Sequence, residues 1–510
     1  MKATRSLALV ALALTAACGS TVQVSSTAQV GGTGGDGISS TGDGLGTTGT
    51  AGGTTGGSST SGTSGTSGTS GGSTTGLPLG STSTGGSSTS GTSTSGSTST
   101  SGTGARPTGP RVTTPLKVGV LTVDLGAALQ ALGSSSGSSH AADDGYKAVF
   151  KAMNLTGGLG GRKIVPTYYV INAADSSYQN DASAACATFY DAKVDVVLTE
   201  AASTDYGVAN CLHSHGISLI STVPTNKQGF AGAPWLFNAA NPAYDRGYGA
   251  VVDQLVSTGY VTTKSKIGFI RIDCPAVTAA YKNTVLPRMK AAHLASPIEY
   301  TVSCASGFQD AGAYSAAMQS AVLRFRSASV DRVFVMGSQE DLLLQYFAEQ
   351  AQSQGYHPGY ALSSGSTPYV LIGASTFPQA QLPQVHGVGW NPLGDTGTNP
   401  KLTSNQRCAS LATKGGLKPS NVVEYYAVYN NCSNIFLLEA AVKGGTGLVS
   451  GPALRQVIPT LGSSFQTTGA LTGKTLFGPG IQDGVQMAAA WAYSGSCSCF
   501  KYVSSPRVMR

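Results

Sequence analysis

From Leu116 onward, runs of branched apolar residues alternate with segments whose apolar residues return at helical spacing, and this alternation constrains the fold more than any other feature of the chain. LKVGVLTV (Leu116 to Val123) is almost continuously apolar and largely β-branched, as a parallel strand buried on both faces must be. Tyr146, Val149, Phe150 and Met153 then fall at i, i+3, i+4 and i+7, and Gly157-Gly158 ends that helix. Strands are expected at Lys163 to Ile171, Val194 to Thr199 and Ile217 to Ser221. Between them stand a helix with Ala182, Ala185, Cys186 and Phe189 on one face and a short helix near Tyr206. A second series starts after Phe237 and Asn238, with Tyr248, Val251, Val252 and Leu255 on one helical stripe. Its strands are expected at Lys266 to Ile272, Ile298 to Val302, Arg332 to Met336 and Tyr360 to Leu362. From about Trp390 the pattern gives a strong helix between Val422 and Lys443 and a strand-like CFKYV (Cys499 to Val503). Strands separated by helices make βαβ units, so the fold class is α/β with parallel sheets in two lobes.

The residues before Leu116 are of another kind. From Gly19 to about Gly109 the chain is nearly all Gly, Ser and Thr, which accounts for much of the 69 Gly and for only 11% charged residues. With almost no large apolar side chains to bury, such a segment cannot offset its ordering entropy and is expected to be a disordered tether. As a flexible coil of about 95 residues it would reach roughly 50 to 60 Å. Ahead of it, Lys2 and Arg5, the apolar run Leu7 to Leu14 and small residues up to Cys18 have the form of a secretory signal. Leu14-Thr15-Ala16-Ala17-Cys18-Gly19 resembles a bacterial lipoprotein signal, which implies that residues 1–17 are removed and that Cys18 carries the lipid. An ordinary secreted protein cleaved after Ala17 is the competing reading. The mature chain is expected to be extracytoplasmic and lipid-anchored to the bacterial cell membrane, with no spanning helix.

Removing Lys2 and Arg5 lowers the net charge from +7 to +5, and the basic residues are scattered. Nucleic-acid binding is not indicated by such a pattern. Of nine Cys, the eight besides Cys18 form an even set in an exported chain. Sequence neighbours suggest Cys186 with Cys211, Cys274 with Cys304, Cys408 with Cys432 and Cys497 with Cys499, the last strained by its one-residue spacer. A metal centre is the alternative, but no CxxC pair or Cys/His cluster has zinc-like spacing, and His213 and His215 would lie on different helical faces. GGLGGR (Gly157 to Arg162) follows a helix and precedes a strand, the reverse of a phosphate-binding loop. Neither GxSxG nor HExxH nor a Walker motif occurs, no carboxylate pair is marked, and neither enzyme activity nor a cofactor is expected.

In open parallel sheets, ligands sit beyond the carboxyl ends of the strands. Four such ends run into small polar loops: Ala201-Ala202-Ser203-Thr204, the Ser221, Thr222 and Thr225 of LISTVPTN, Gly337-Ser338-Gln339, and Ser363-Ser364-Gly365. Plain turn and cap chemistry, with Asn226 as a helix cap, is the competing explanation for each. The order of KVGVLT, GGLGGRKI, VDVVLTEAAST, LISTVPTN and DRVFVMG resembles the type I periplasmic binding proteins, specifically the branched-chain amino-acid (Leu/Ile/Val) binding proteins of ABC transporters. The resemblance covers roughly Leu116 to Trp390.

The resemblance implies two Rossmann-like lobes joined by hinge crossovers, with a small molecule clamped between them. It divides the chain after the signal into a tether (18–114), lobe 1 (115–240), lobe 2 (241–389), a return to lobe 1 (390–465) and a return to lobe 2 (466–510). Carried over by position, ligand contacts fall at Ala202 or Ser203, at Val223 and Thr225, at Ser338 and Gln339, and at Ser363 and Ser364, with Asp245 near an acidic position of the family. Where an amino-acid binder would hold the ammonium with a carboxylate, this chain has Ser363-Ser364-Gly365. The loops are expected to be electrically quiet, which suits an amide, a carboxylate or a polyol at least as well as an amino acid. The function implied is solute capture for delivery to ABC permease subunits; a surface-anchored receptor or sensor module is the alternative.

Overall fold

The computed structural model describes residues 110–124, 143–172, 177–201, 207–306, 310–337, 340–374 and 376–510; Cys18 and the Gly/Ser/Thr tract lie outside the described residues. Strands β1 (Leu116–Asp124), β2 (Ile164–Asn172), β3 (Val196–Thr199), β4 (Ser218–Ser221) and β5 (Leu236–Asn238) form a five-stranded parallel sheet in the order β2-β1-β3-β4-β5. Every residue of β3 and β4 is buried, the reason their sequences show no alternation. Pro166 pairs opposite Val118 in the edge strand β2, a place where a missing N–H is tolerated. The helices α1 (Asp144–Leu155), α2 (Tyr178–Asp191), α3 (Val208–Ser214) and α4 (Lys227–Gly232) connect these strands.

The second lobe opens with α5 (Tyr244–Ser257) and carries an eight-stranded sheet. Its strands are β6 (Ile267–Ile272), β7 (Ile298–Val302), β8 (Arg332–Met336), β9 (Gly359–Ser363), β10 (Val385–Gly389), β11 (Met487–Ser494), β12 (Cys499–Tyr502) and β13 (Arg507–Val508). The order is β12-β11-β10-β9-β8-β6-β7, with β13 paired to β11; β6 to β10 are parallel and the last three strands antiparallel. Helices α6 (Pro275–Ala280), α7 (Leu286–Ala291), α8 (Ala311–Ser327) and α9 (Glu340–Ser353) flank it.

After β10 the chain returns to the first sheet through α10 (Pro392–Thr396), α11 (Thr403–Gly415), α12 (Val422–Gly444) and α13 (Gly451–Val457). Val118, Val120 and Phe150 share one buried cluster with Ile435, Leu437, Leu438, Val442 and Leu454, so these late helices complete the lobe-1 core. Each such side chain contributes about 1.5–3 kcal/mol over its exposed state. The chain thus passes between the lobes three times: between Asn238 and Tyr244, between Gly389 and Pro392, and through residues 462–486 back to β11. The α/β class with two lobes and hinge crossovers is the architecture found.

All four cysteine pairs are bonded. Cys186–Cys211 joins α2 to α3, Cys274–Cys304 joins the loops after β6 and β7, and Cys408–Cys432 joins α11 to α12. Cys497–Cys499 closes around Ser498, which takes a left-handed conformation (φ 51°). GGLGGRK is a structural turn: Gly157, Gly158, Gly160 and Gly161 all have positive φ, which presents Arg162 to the segment entering the domain. The Arg162 guanidinium donates to the carbonyls of Thr114 (2.7 Å), Pro115 (3.1 Å) and Gly447 (2.6 Å), clamping that segment to lobe 1. Among the described residues, no helix is long and apolar enough to cross a membrane.

Candidate functional site

The carboxyl ends of both parallel sheets converge on the crossovers, and the side chains there decide what a solute would meet. In lobe 1, Glu200 follows β3 directly and is half-buried. Asn431 of α12 donates to its Oε1, and the buried Tyr146 hydroxyl of α1 bonds to the same carboxyl. Asn434 backs this arrangement by donating to Tyr146 Oη (2.9 Å) and to the Thr199 carbonyl (3.1 Å). Burial among these groups raises the Glu200 carboxyl to about 8, with the Tyr146 bond opposing the shift only in part.

LISTVPTN does run from a strand into a polar loop, but its hydroxyls face inward. Ser221 Oγ accepts from the Val223 N–H (3.0 Å), and Asn226 caps α4 by accepting from Gly229 N (2.7 Å). Thr225 is 1% exposed, its carbonyl accepts from Tyr244 N (2.9 Å), and its hydroxyl lies against Gly229. Thr222 is buried as well, and its carbonyl accepts from Asn241 Nδ2 (2.5 Å). Val223 is half-buried, and its carbonyl accepts from Asn238 Nδ2 (3.0 Å). This loop therefore braces the first crossover.

Lobe 2 shows the same displacement of expected contacts. Ser363 and Ser364 are buried, with Ser363 Oγ donating to Glu340 Oε2 (2.8 Å) and Ser364 Oγ donating to Asp395 Oδ2 (3.1 Å). Tyr502 of β12 also donates to Asp395 Oδ2 (2.6 Å), as does the Asn391 N–H (3.0 Å). Glu340 and Asp395 are each 0% exposed, and burial raises them to about 8 and about 7. Acids thus stand behind the serines, contributed by α9 and α10 rather than by the β9 loop itself. Just beyond, Thr367 holds a left-handed conformation (φ 42°, ψ 57°), strained for a β-branched residue. The Tyr426 hydroxyl of α12 reaches Thr367 and Asn430, and Tyr426 feels the charges of both Asp395 and Glu200. The Tyr426 ring and Thr367 both pack against Gly394 of α10.

The hinge is tied by buried polar contacts. Trp390 Nε1 donates to Asn241 Oδ1 (2.7 Å), linking the second crossover to the first. Asp483 of the third accepts from Ala243 N (2.6 Å) and pairs with Arg246 Nε (2.8 Å). Asp245 has both oxygens engaged, accepting from Lys227 N (2.6 Å) and Thr284 Oγ1 (3.2 Å), so it bridges α4 of lobe 1 to lobe 2. Ala202, Ser203, Ser338 and Gln339 lie outside the described residues. Cys186, Cys211 and His215 come together among the described residues, but the two sulfurs form a disulfide, so no metal centre results. A polar cavity of about 630 Å³ opens at the GGLGG turn between Arg111, Arg407 and Lys443; there Glu439 already pairs with Arg407 (2.6 Å) and Lys443 (2.7 Å).

A family model described as periplasmic binding protein matches residues 115–396. No curated protein matches the chain. Among solved structures, an ABC transporter substrate-binding protein from Desulfitobacterium hafniense in complex with Leu is 13% identical, with a TM-score of 0.52 over 76% of this chain and 100% of that one. A solute-binding protein of an R. palustris ABC transporter, in complex with 4-hydroxybenzoate, is 12% identical, with a TM-score of 0.56 over 78% and 98%. A fatty acid ABC transporter substrate-binding protein from Thermomonospora curvata is 14% identical, with a TM-score of 0.56 over 79% and 95%. At these identities the likeness is one of fold.

Proposed function

The chain belongs to the periplasmic binding protein family, and from that premise we propose that it is an extracytoplasmic solute-binding lipoprotein, anchored through Cys18, that captures a small polar molecule between its lobes and delivers it to an ABC permease. The observation that supports the reading is a pair of α/β lobes joined by three crossovers that are hydrogen-bonded to one another. Such an arrangement lets rigid lobes close on a solute while the hinge contacts persist. Closure excludes water, so a few hydrogen bonds suffice for selectivity. The similar proteins whose names or complexes mention Leu, 4-hydroxybenzoate and fatty acid support a family scaffold that accepts chemically diverse small molecules. Ala202, Ser203, Ser338 and Gln339, which follow β3 and β8, are proposed to complete the lining. No bond is made or broken in this role.

A thermal-shift screen over amino acids, amides, organic acids and sugars tests the reading. A solute at 100 times its dissociation constant adds about 2.7 kcal/mol of apparent stability. A flat response across every class, or a bound solute whose concentration falls with time, contradicts it.

A further inference from the structure

We propose that Tyr178 is a latch across the mouth of the cleft: it holds lobe 1 to lobe 2 at the rim farthest from the hinge and so sets how long a captured solute is retained. The inference rests on the solute-binding reading and names the residue that governs release from that site.

Sheet order locates the contact. Lobe 1 joins the crossovers through β5 at one edge of its sheet, and β2 is the opposite edge, beyond β4, β3 and β1. Lobe 2 joins them through β10 and β11, and β7 is its far edge, beyond β9, β8 and β6. The elements that follow β2 and β7 therefore stand at the carboxyl ends of two edge strands remote from the hinge, and there the lobes touch. Tyr178, the first residue of α2, donates its N–H to the carbonyl of Ser306, just after β7 (3.0 Å). The first N–H groups of a helix have no partner within it, and Ser177 provides no side-chain cap, so α2 satisfies this donor on the opposite lobe. The side chain crosses as well: Tyr178 packs against the core cluster of lobe 2, although Ala182 and Ala185 on the same helix belong to a cluster of lobe 1. A single residue thus supplies a hydrogen bond and an apolar contact across the gap.

The receiving loop is fixed to lobe 2. Asp310 Oδ2 accepts from the Ser306 N–H (2.7 Å) and from Ser306 Oγ (3.0 Å). The Cys304 N–H donates to Asp273 Oδ1 (2.5 Å), the Cys274–Cys304 disulfide ties the loop to the one after β6, and Tyr314 Oη of α8 donates to the Ser303 carbonyl (3.1 Å). Tyr314 also lies close enough to feel the Tyr178 phenol. A loop pinned in this way moves with its lobe, so the Tyr178 contact breaks only when the lobes part, while the crossover contacts persist. Its loss shortens the closed state and leaves both cores intact.

Hydrogen exchange on the full chain without added solute tests the latch in the wild type and in Tyr178→Phe, Tyr178→Ala and Tyr178→Pro. Pro suits the first position of a helix, and Ser177 (ψ 114°) already has the extended backbone that a following Pro demands. Tyr178→Pro therefore deletes both ring and N–H with α2 still folded. Amides of residues 303–306, in lobe 2, are expected to exchange at least threefold faster in Tyr178→Ala and faster again in Tyr178→Pro, with Tyr178→Phe matching the wild type and melting temperatures unchanged. Acceleration confined to the first turn of α2, or none, overturns the latch. Retention is read by stopped flow with leucine and 4-hydroxybenzoate, the ligands of two similar structures, as probes. Release from the Ala and Pro variants is expected to be at least fivefold faster, with a smaller change in association rate. Release at the wild-type rate overturns the role in retention. If neither probe nor any solute of the thermal-shift screen binds, the solute-binding reading fails, and the exchange result still decides whether the latch exists.

Discussion

Replacing Glu340 by Gln is the sharpest probe of the charges hidden behind the cleft. Burial raises this carboxyl from 4.5 to about 8, against the bonds it receives from Ser363 and from backbone N–H groups. The folded chain therefore holds the proton more tightly than the unfolded chain. The stability this provides is complete below pH 4.5 and is lost as pH rises through 8, at about 1.4 kcal/mol per unit. About 2.7 kcal/mol of it remains at pH 6 and almost none at pH 9. Gln keeps the shape and the bond with Ser363 but cannot ionise, so it escapes this loss. Urea unfolding with the disulfides intact, at pH 6, 7, 8 and 9, measures the difference between the two proteins. Asp395 and Glu200 titrate in both and cancel. The variant is expected to gain on the wild type by about 2–3 kcal/mol across that range. Curves that stay parallel within 0.5 kcal/mol would mean that Glu340 is ionised throughout, and the burial argument for this wall would fail.

Arg162→Ala strips three carbonyls of a charged donor at the entry to lobe 1 and is expected to cost about 3–5 kcal/mol, with new protease cleavage near residues 110–116. Trp390→Phe removes one neutral hydrogen bond between crossovers; a loss of about 1 kcal/mol in urea unfolding is expected. Gly145→Ala would put a Cβ 1.8 Å from Asn431 Oδ1 and is expected to cost about 1–3 kcal/mol in urea unfolding.

Strands such as IGFIRI and RVFVM were legible because burial on both faces removes all alternation, and local sequence records that directly. MAAAWAYS was not: four Ala in eight residues favour a helix, yet β11 forms because β10 and β12 flank it and Trp491 fills the space that Gly387 leaves open. The site divides in the same way. Ser363 and Ser364 announce a strand end, but the carboxylates that occupy their hydroxyls stand 23 and 31 residues away, on other elements. Glu200 was in plain view within VLTEAAST. Its partner Asn431 lies 231 residues later on α12, within the polar run Asn430, Asn431, Ser433 and Asn434, and nothing local tells that this run packs against the end of β3.

Hydrogen exchange on the full chain, with and without the solute that stabilises it most, tests the clamp most directly. Amides following β3 and β9 and those flanking Tyr426 should slow together, because one molecule is held by both lobes. Protection confined to one lobe, or exchange unchanged at saturation, would contradict capture between them.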